Sequence, residues 1–137
     1  MSEVIITRAT PEDSRDIITL IRQNDFSCGE DLPEGFVAKL DKAVIAYIGY
    51  EYTYGANAYV YMFVVNEVAR GMGIGIALIK ALVTQCKTDG IKRIEATVDH
   101  ESTRAIKLYK ELGVSLRPVM LIEAMVDDLS QRLEQDS

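Results

Sequence analysis

The chain has 137 residues and a formal net charge of −6. That length suits one ordinary domain that removes roughly two thirds of its unfolded surface from water, and is too short for two. The acidic balance speaks against a general nucleic-acid or anionic-membrane binder and favours a cationic partner. Cys28, Cys86 and the lone His100 have no metal-ligand spacing, so no metal site is expected and both thiols are expected to be reduced. The opening MSEVIITRAT has no charged start followed by a long apolar run, and no stretch reaches bilayer-spanning length. A cytoplasmic protein is the expectation.

In chain order, Val4 to Ala9 reads as a strand. Thr10 then caps a helix that has Pro11 at its first position, Asp13 at its third, and an apolar stripe of Ile17, Leu20 and Ile21 running to about Gln23. Asn24 to Gly35 is a polar loop, NDFSCGEDLPEG, with acids at Glu30, Asp31 and Glu34. These three are either solvated charges or an electrostatic funnel for a cationic amine. Phe36 to Leu40 and Ala43 to Tyr52 predict a hairpin closed at Asp41 and Lys42, and a second turn at Tyr54 to Asn57 leads into a strand over Ala58 to Val65. The tyrosines at 47, 50, 52, 54, 59 and 61 suit sheet faces.

The stretch YVYMFVVNEVARGMGIG, Tyr59 to Gly75, runs from this apolar strand through a polar turn into three glycines at alternate positions. Ile76, Ile79, Leu82 and Val83 follow at helical spacing, so the glycines sit where a strand becomes a helix. The first N–H groups of a helix lack internal partners, and the peptide dipoles add about half a positive charge there. Gly71, Gly73 and Gly75 would let a phosphate approach those groups, and Arg70 adds a planar charged fork. A dinucleotide turn, G-x-G-x-x-G, fails because Ile76 stands where its third glycine belongs. A triphosphate loop fails because Gly75 is followed by Ile76 and Ala77 rather than Lys and Ser or Thr. What remains is R-x-x-G-x-G, Arg70 through Gly73 to Gly75.

The helix after the glycines should stop near Asp89 and Gly90. A strand follows over IKRIEATVD, Ile91 to Asp99, and then a helix whose stripe is Ala105, Leu108, Tyr109 and Leu112, ending at Gly113. A short strand at Ser115 and Leu116, a last strand over Pro118 to Val126 and a polar helix from Asp127 to about Gln135 complete the chain. The apolar run PVMLIEAMV predicts burial on both faces, inside the monomer or across the boundary of a homodimer.

R-x-x-G-x-G between a strand and a helix, followed some thirty residues on by AIKLYKELGV (Ala105 to Val114), resembles the GNAT superfamily of N-acetyltransferases. The resemblance covers nearly the whole chain. It implies a single α/β (α+β) domain, a mixed central sheet with helices on both faces, and two parallel central strands that splay to admit the pantetheine arm of acetyl-CoA. On that basis Arg70, Gly71, Met72, Gly73, Ile74 and Gly75 would hold the diphosphate. Backbone groups of Phe63, Val64 and Val65 would lie along the arm and polarise the thioester carbonyl. Ser102 stands where the family often has asparagine near the pantetheine, and is equally readable as a helix cap.

Tyr109, by spacing an ordinary core tyrosine, would by resemblance point its hydroxyl at the CoA sulfur. A phenol of pKa near 10 can protonate a departing thiolate of parent pKa near 8.5, which makes Tyr109 the general-acid candidate. An attacking alkylamine is mostly protonated at neutral pH, so a base helps. Glu51, Glu67, Glu95 and Asp99 are the acids at strand ends, with Glu67 and Glu95 put forward for the role. Met72 and Val114 depart from the family pattern, which often has a basic residue and an aromatic there. The implied activity is transfer of acetyl to the primary amine of a small molecule or peptide by direct attack. A CoA-binding module without turnover and a nucleotide-binding regulatory domain are the rival readings.

Overall fold

The computed structural model describes residues 3–26 and 28–135. They fall into two compact units, Met1–Thr97 and Val98–Ser137. The first contains β1 (Val4–Arg8), a 3₁₀ turn (Pro11–Asp13), α1 (Ser14–Gln23), β2 (Glu34–Leu40), β3 (Ala43–Thr53), β4 (Asn57–Val65), a second 3₁₀ turn (Glu67–Ala69), α2 (Ile74–Thr88) and β5 (Arg93–Ala96). The strands lie side by side in chain order. Pairings from β1 to β4 are antiparallel and β4 with β5 is parallel, which makes the sheet mixed as expected.

Local chemistry accounts for the meander. Asp41 and Lys42, with φ of 50° and 71°, turn β2 into β3 with two successive left-handed residues, the backbone that matches strand twist in a tight hairpin. Asp13 fixes the entry to α1. Its carboxylate accepts from the Thr10 N–H at 2.9 Å and the Thr10 hydroxyl at 3.2 Å, and pairs with the Lys39 ammonium at 2.7 Å. The expected helix from Pro11 begins its α-helical portion only at Ser14, because Pro11 to Asp13 tightens into a 3₁₀ turn.

Helices cover both sheet faces. On one side Ile17, Leu20 and Ile21 of α1 pack with Val37, Tyr47 and Val64. On the other, Ile74, Leu78 and Leu82 of α2 pack with Ile48, Tyr50 and Ala58. Each fully buried aliphatic chain is worth about 1.5–3 kcal/mol over leaving it in water. Tyr47 closes the first layer by donating its hydroxyl to the Pro33 carbonyl at 2.7 Å.

The second unit has α3 (Thr103–Glu111) and α4 (Val126–Gln135). It corrects three expectations. Neither Ser115–Leu116 nor Pro118–Val126 forms a strand; the chain is irregular up to α4, which starts at Val126, and Met120, Leu121 and Ile122 are 93%, 81% and 92% exposed. A strand needs ladder partners, and among its described residues this unit supplies helices but no strand. The strand expected to reach Asp99 stops at Ala96, and Asp99 instead makes a turn, accepting from Glu101 N–H at 2.9 Å through its side chain and from Ser102 N–H through its carbonyl. Among the described residues no helix is long and apolar enough to cross a membrane.

Candidate active site

β4 pairs with β3 from Asn57 to Val65, interrupted at Tyr61, but with β5 only from Asn57 to Val60, opposite Arg93 to Ala96. Among the described residues, no strand lies beside the β5-side edge of β4 from Tyr61 to Val65. The two parallel strands therefore part after Val60, as the splayed pair expected from sequence would. At roughly 3.3 Å per residue the unpaired edge from Val60 to Val65 spans about 17 Å, enough to accompany an extended amide-bearing arm. Backbone groups on such an edge must find partners, and the amides of an extended ligand supply them. Phe63 and Val65 turn their side chains to the α2 layer and Val64 turns its side chain to the α1 layer, so only main chain faces the opening.

The far end of that edge leads into the glycine turn. Asn66 caps the 3₁₀ turn by accepting from Val68 N–H at 3.2 Å, and Arg70 follows in extended conformation. Gly71 and Gly73 have φ of 86° and 73°, left-handed backbone that side-chain-bearing residues resist, and a Cβ on either would meet nothing within 4 Å. These glycines thus bare the main chain on an open side. Gly73 is the N-cap of α2 and, lacking a side chain, leaves the first-turn N–H groups uncapped; the first ladder bond is Ala77 N–H to the Gly73 carbonyl at 3.1 Å. Among the described residues no hydrogen bond engages the N–H groups from Gly71 to Ile76. Arg70 is exposed with no ion-pair partner among them. A bare helix start beside a free guanidinium suits a linked pair of phosphates.

Gly75 has a packing reason besides. A Cβ there would stand 3.3 Å from the Phe63 ring, so this glycine lets α2 lie close on β4. Ile74 is likewise buried through its side chain and offers only its backbone. Met72 is 55% exposed.

The two base candidates lie at opposite ends of β4. Glu95 stands opposite Tyr59 in the parallel register, at the closed end of the parting, and pairs with Arg93 at 3.1 Å. Glu67 is exposed in the 3₁₀ turn at the glycine end, beyond the end of β4 at Val65. Ser102 and Tyr109 belong to the second unit. Ser102 is the N-cap of α3 without a side-chain capping bond, and Tyr109 is half-buried in that helix, where desolvation pushes its phenol pKa up.

One polar assembly escaped the sequence reading. Arg8 of β1 lies over the rings of Phe36 and Tyr50, 5.3 Å and 5.9 Å from their centroids, donates to the Tyr50 hydroxyl at 3.1 Å, and pairs with Glu34 at 3.3 Å. One of the three loop acids is therefore already held by an arginine. No local pattern marks this meeting, because its members come from three strands.

The Acetyltransferase (GNAT) family model matches residues 5–114, and the chain belongs to that family. Solved structures agree in fold. An integron cassette protein from the mobile metagenome of V. cholerae has 20% identity and a TM-score of 0.77, covering 96% of this chain and 98% of its own. The ribosomal-protein-alanine N-acetyltransferase from Brucella melitensis biovar Abortus 2308 has 14% identity and a TM-score of 0.76, covering 89% and 99%. The aminoglycoside N-acetyltransferase AAC(6')-Iy, solved in complex with CoA, has 16% identity and a TM-score of 0.75, covering 92% and 97%. No curated protein sequence matches the chain.

Proposed function

We propose that this protein moves the acetyl group of acetyl-CoA to a primary amine by direct attack in a ternary complex. The observation that carries the reading is the continuity of bare main chain, from the uncapped start of α2 along the unpaired edge of β4 to the point where β5 joins. Gly71 to Gly75 and Arg70 hold the diphosphate, and the edge from Phe63 to Val65 holds the arm. A donor spaced along that edge also steadies the thioester oxygen as it gains charge, an effect worth roughly 3 kcal/mol elsewhere. The CoA-bound and aminoglycoside-acetylating relatives support both the donor and an amine acceptor.

In the reaction a C–N bond forms and the C–S bond breaks, the amine loses a proton and the leaving sulfur gains one. Tyr109 is proposed as the proton donor to sulfur. The upward push on its phenol keeps it in the protonated form that this role needs. Glu95, level with Tyr59 at the closed end of the parting, is a better placed acceptor for the amine proton than Glu67, directly or through water. The family match runs across residues 97 and 98, which supports reading the whole chain as one domain, and the exposed apolar run at Val119 to Ile122 supports a homodimer.

The alternative, a CoA-binding module without turnover, draws on the pairing of Glu95 with Arg93 and the remoteness of Glu67. Free-thiol release from acetyl-CoA with a panel of amines separates the two. Amine-dependent release is the expected result. Tight binding of acetyl-CoA with no release by any amine would establish the binding module.

A further inference from the structure

β4 carries an extra residue at Tyr61. Gly49 lies opposite Met62 and Tyr50 opposite Val60, which leaves Tyr61 unpaired in the ladder. Such a bulge changes which residues share a face. Val60 packs in the α2 layer, so its neighbours Tyr59 and Tyr61 project from the other face, and the bulge sends Met62 there too. The Tyr59 and Tyr61 rings stand 4.9 Å apart between centroids at 65°, forming two walls of a corner, with Tyr61 53% exposed. The Tyr59 hydroxyl is fixed by the Thr97 hydroxyl at 3.1 Å.

Glu51 of β3, opposite Tyr59 in register, borders this corner. Its carboxylate, beside Tyr61, holds that phenol above its ordinary pKa. Glu95, on the other side of Tyr59, is matched by Arg93, whereas Glu51 has no basic partner among the described residues. Two rings at an angle and an unmatched carboxylate make a surface for an alkylammonium group, which binds ring faces electrostatically and donates to oxygens.

The corner lies at Val60, where β4 and β5 meet and where the acetyl group would arrive. We propose that Tyr59, Tyr61 and Glu51 form a cation subsite for the acceptor, and that the preferred acceptor is a di- or polyamine. One ammonium rests in the corner while another amine of the same molecule reaches the closed end of the parting. The subsite rests on the acetyl-transfer reading above, and sharpens it to a substrate class. The net charge of −6 acts in the same direction by drawing polycations to the surface.

Calorimetry on CoA-loaded protein tests it, with spermidine and n-butylamine as probes. Spermidine should bind the parent at least about tenfold more tightly than n-butylamine. Glu51→Gln should weaken spermidine about tenfold, and Tyr61→Leu, which removes one ring wall of the corner, about two- to threefold. CoA affinity and melting temperature, measured alongside, report whether each variant is folded. If CoA binds and spermidine is held no better than n-butylamine, or equally well by Glu51→Gln, the subsite is wrong while the acetyl-transfer reading stands. If the parent does not bind CoA, that reading fails and takes the subsite with it.

Discussion

Replacing Gly73 by alanine separates the turn's structural role from its binding role. With φ at 73° the new side chain is disfavoured by about 1 kcal/mol, and a Cβ there would meet nothing within 4 Å, so no packing cost is added. For a chain of this size that lowers the melting temperature by about 4 °C. The same Cβ projects on the open side of the uncapped N–H groups. It should therefore disturb one charge-assisted hydrogen bond to phosphate, worth roughly 1.5–3 kcal/mol, and weaken acetyl-CoA about ten- to hundredfold. Titration calorimetry beside a thermal melt reads both numbers. A folded Gly73→Ala protein that holds acetyl-CoA as tightly as the parent would refute the assignment of these glycines. Gly75→Val should lose about 2 kcal/mol of stability by crowding Phe63 and Val65, since that glycine also serves packing.

Other outcomes follow from single contacts. Burial pushes the Asp13 carboxyl up, but the Lys39 ammonium and the Thr10 N–H outweigh it and hold it below its ordinary value of 3.8. A depressed folded pKa stabilises above the unfolded value and ceases to as pH falls through the folded one. Asp13→Ala should thus cost about 2 kcal/mol at pH 7 in denaturant unfolding, with the gap to the parent shrinking below pH 3.8; a gap that stays constant down to pH 2 would contradict this origin, where roughly all carboxyls are protonated. Tyr109→Phe should lower the turnover number about tenfold or more while leaving acetyl-CoA affinity nearly unchanged, as measured by thiol release and calorimetry. Equal losses in both would make Tyr109 a packing residue. Since Glu34 is held by Arg8, neutralising Glu30 and Asp31 alone should show whether the loop steers amines, as a fall in the rate of amine capture at low salt.

Features set by neighbours in sequence were legible in the sequence. The Asp41–Lys42 turn, the α1 stripe and the glycines at the start of α2 each depend on a few adjacent residues, and each stands where expected. Features set by distant partners were not. An apolar run such as Pro118 to Val126 has the same pattern whether or not an edge is there to pair with it, so its strand could not be verified from composition. The early end of β5 reflects the parting from β4, which no residue of IKRIEATVD announces. Gly75 looks like its two companions in the motif, yet only the packing of α2 on Phe63 shows its second role. The Tyr61 bulge is of the same kind, since it exists only in the offset between two strands.

The most direct measurement is a calorimetric titration of the parent protein with acetyl-CoA, ATP and NAD under one set of conditions. Saturable binding of acetyl-CoA, much tighter than either nucleotide, is the predicted result. Equal or tighter binding of ATP or NAD, with acetyl-CoA failing to saturate, would contradict a site built from the bare start of α2 and the unpaired edge of β4.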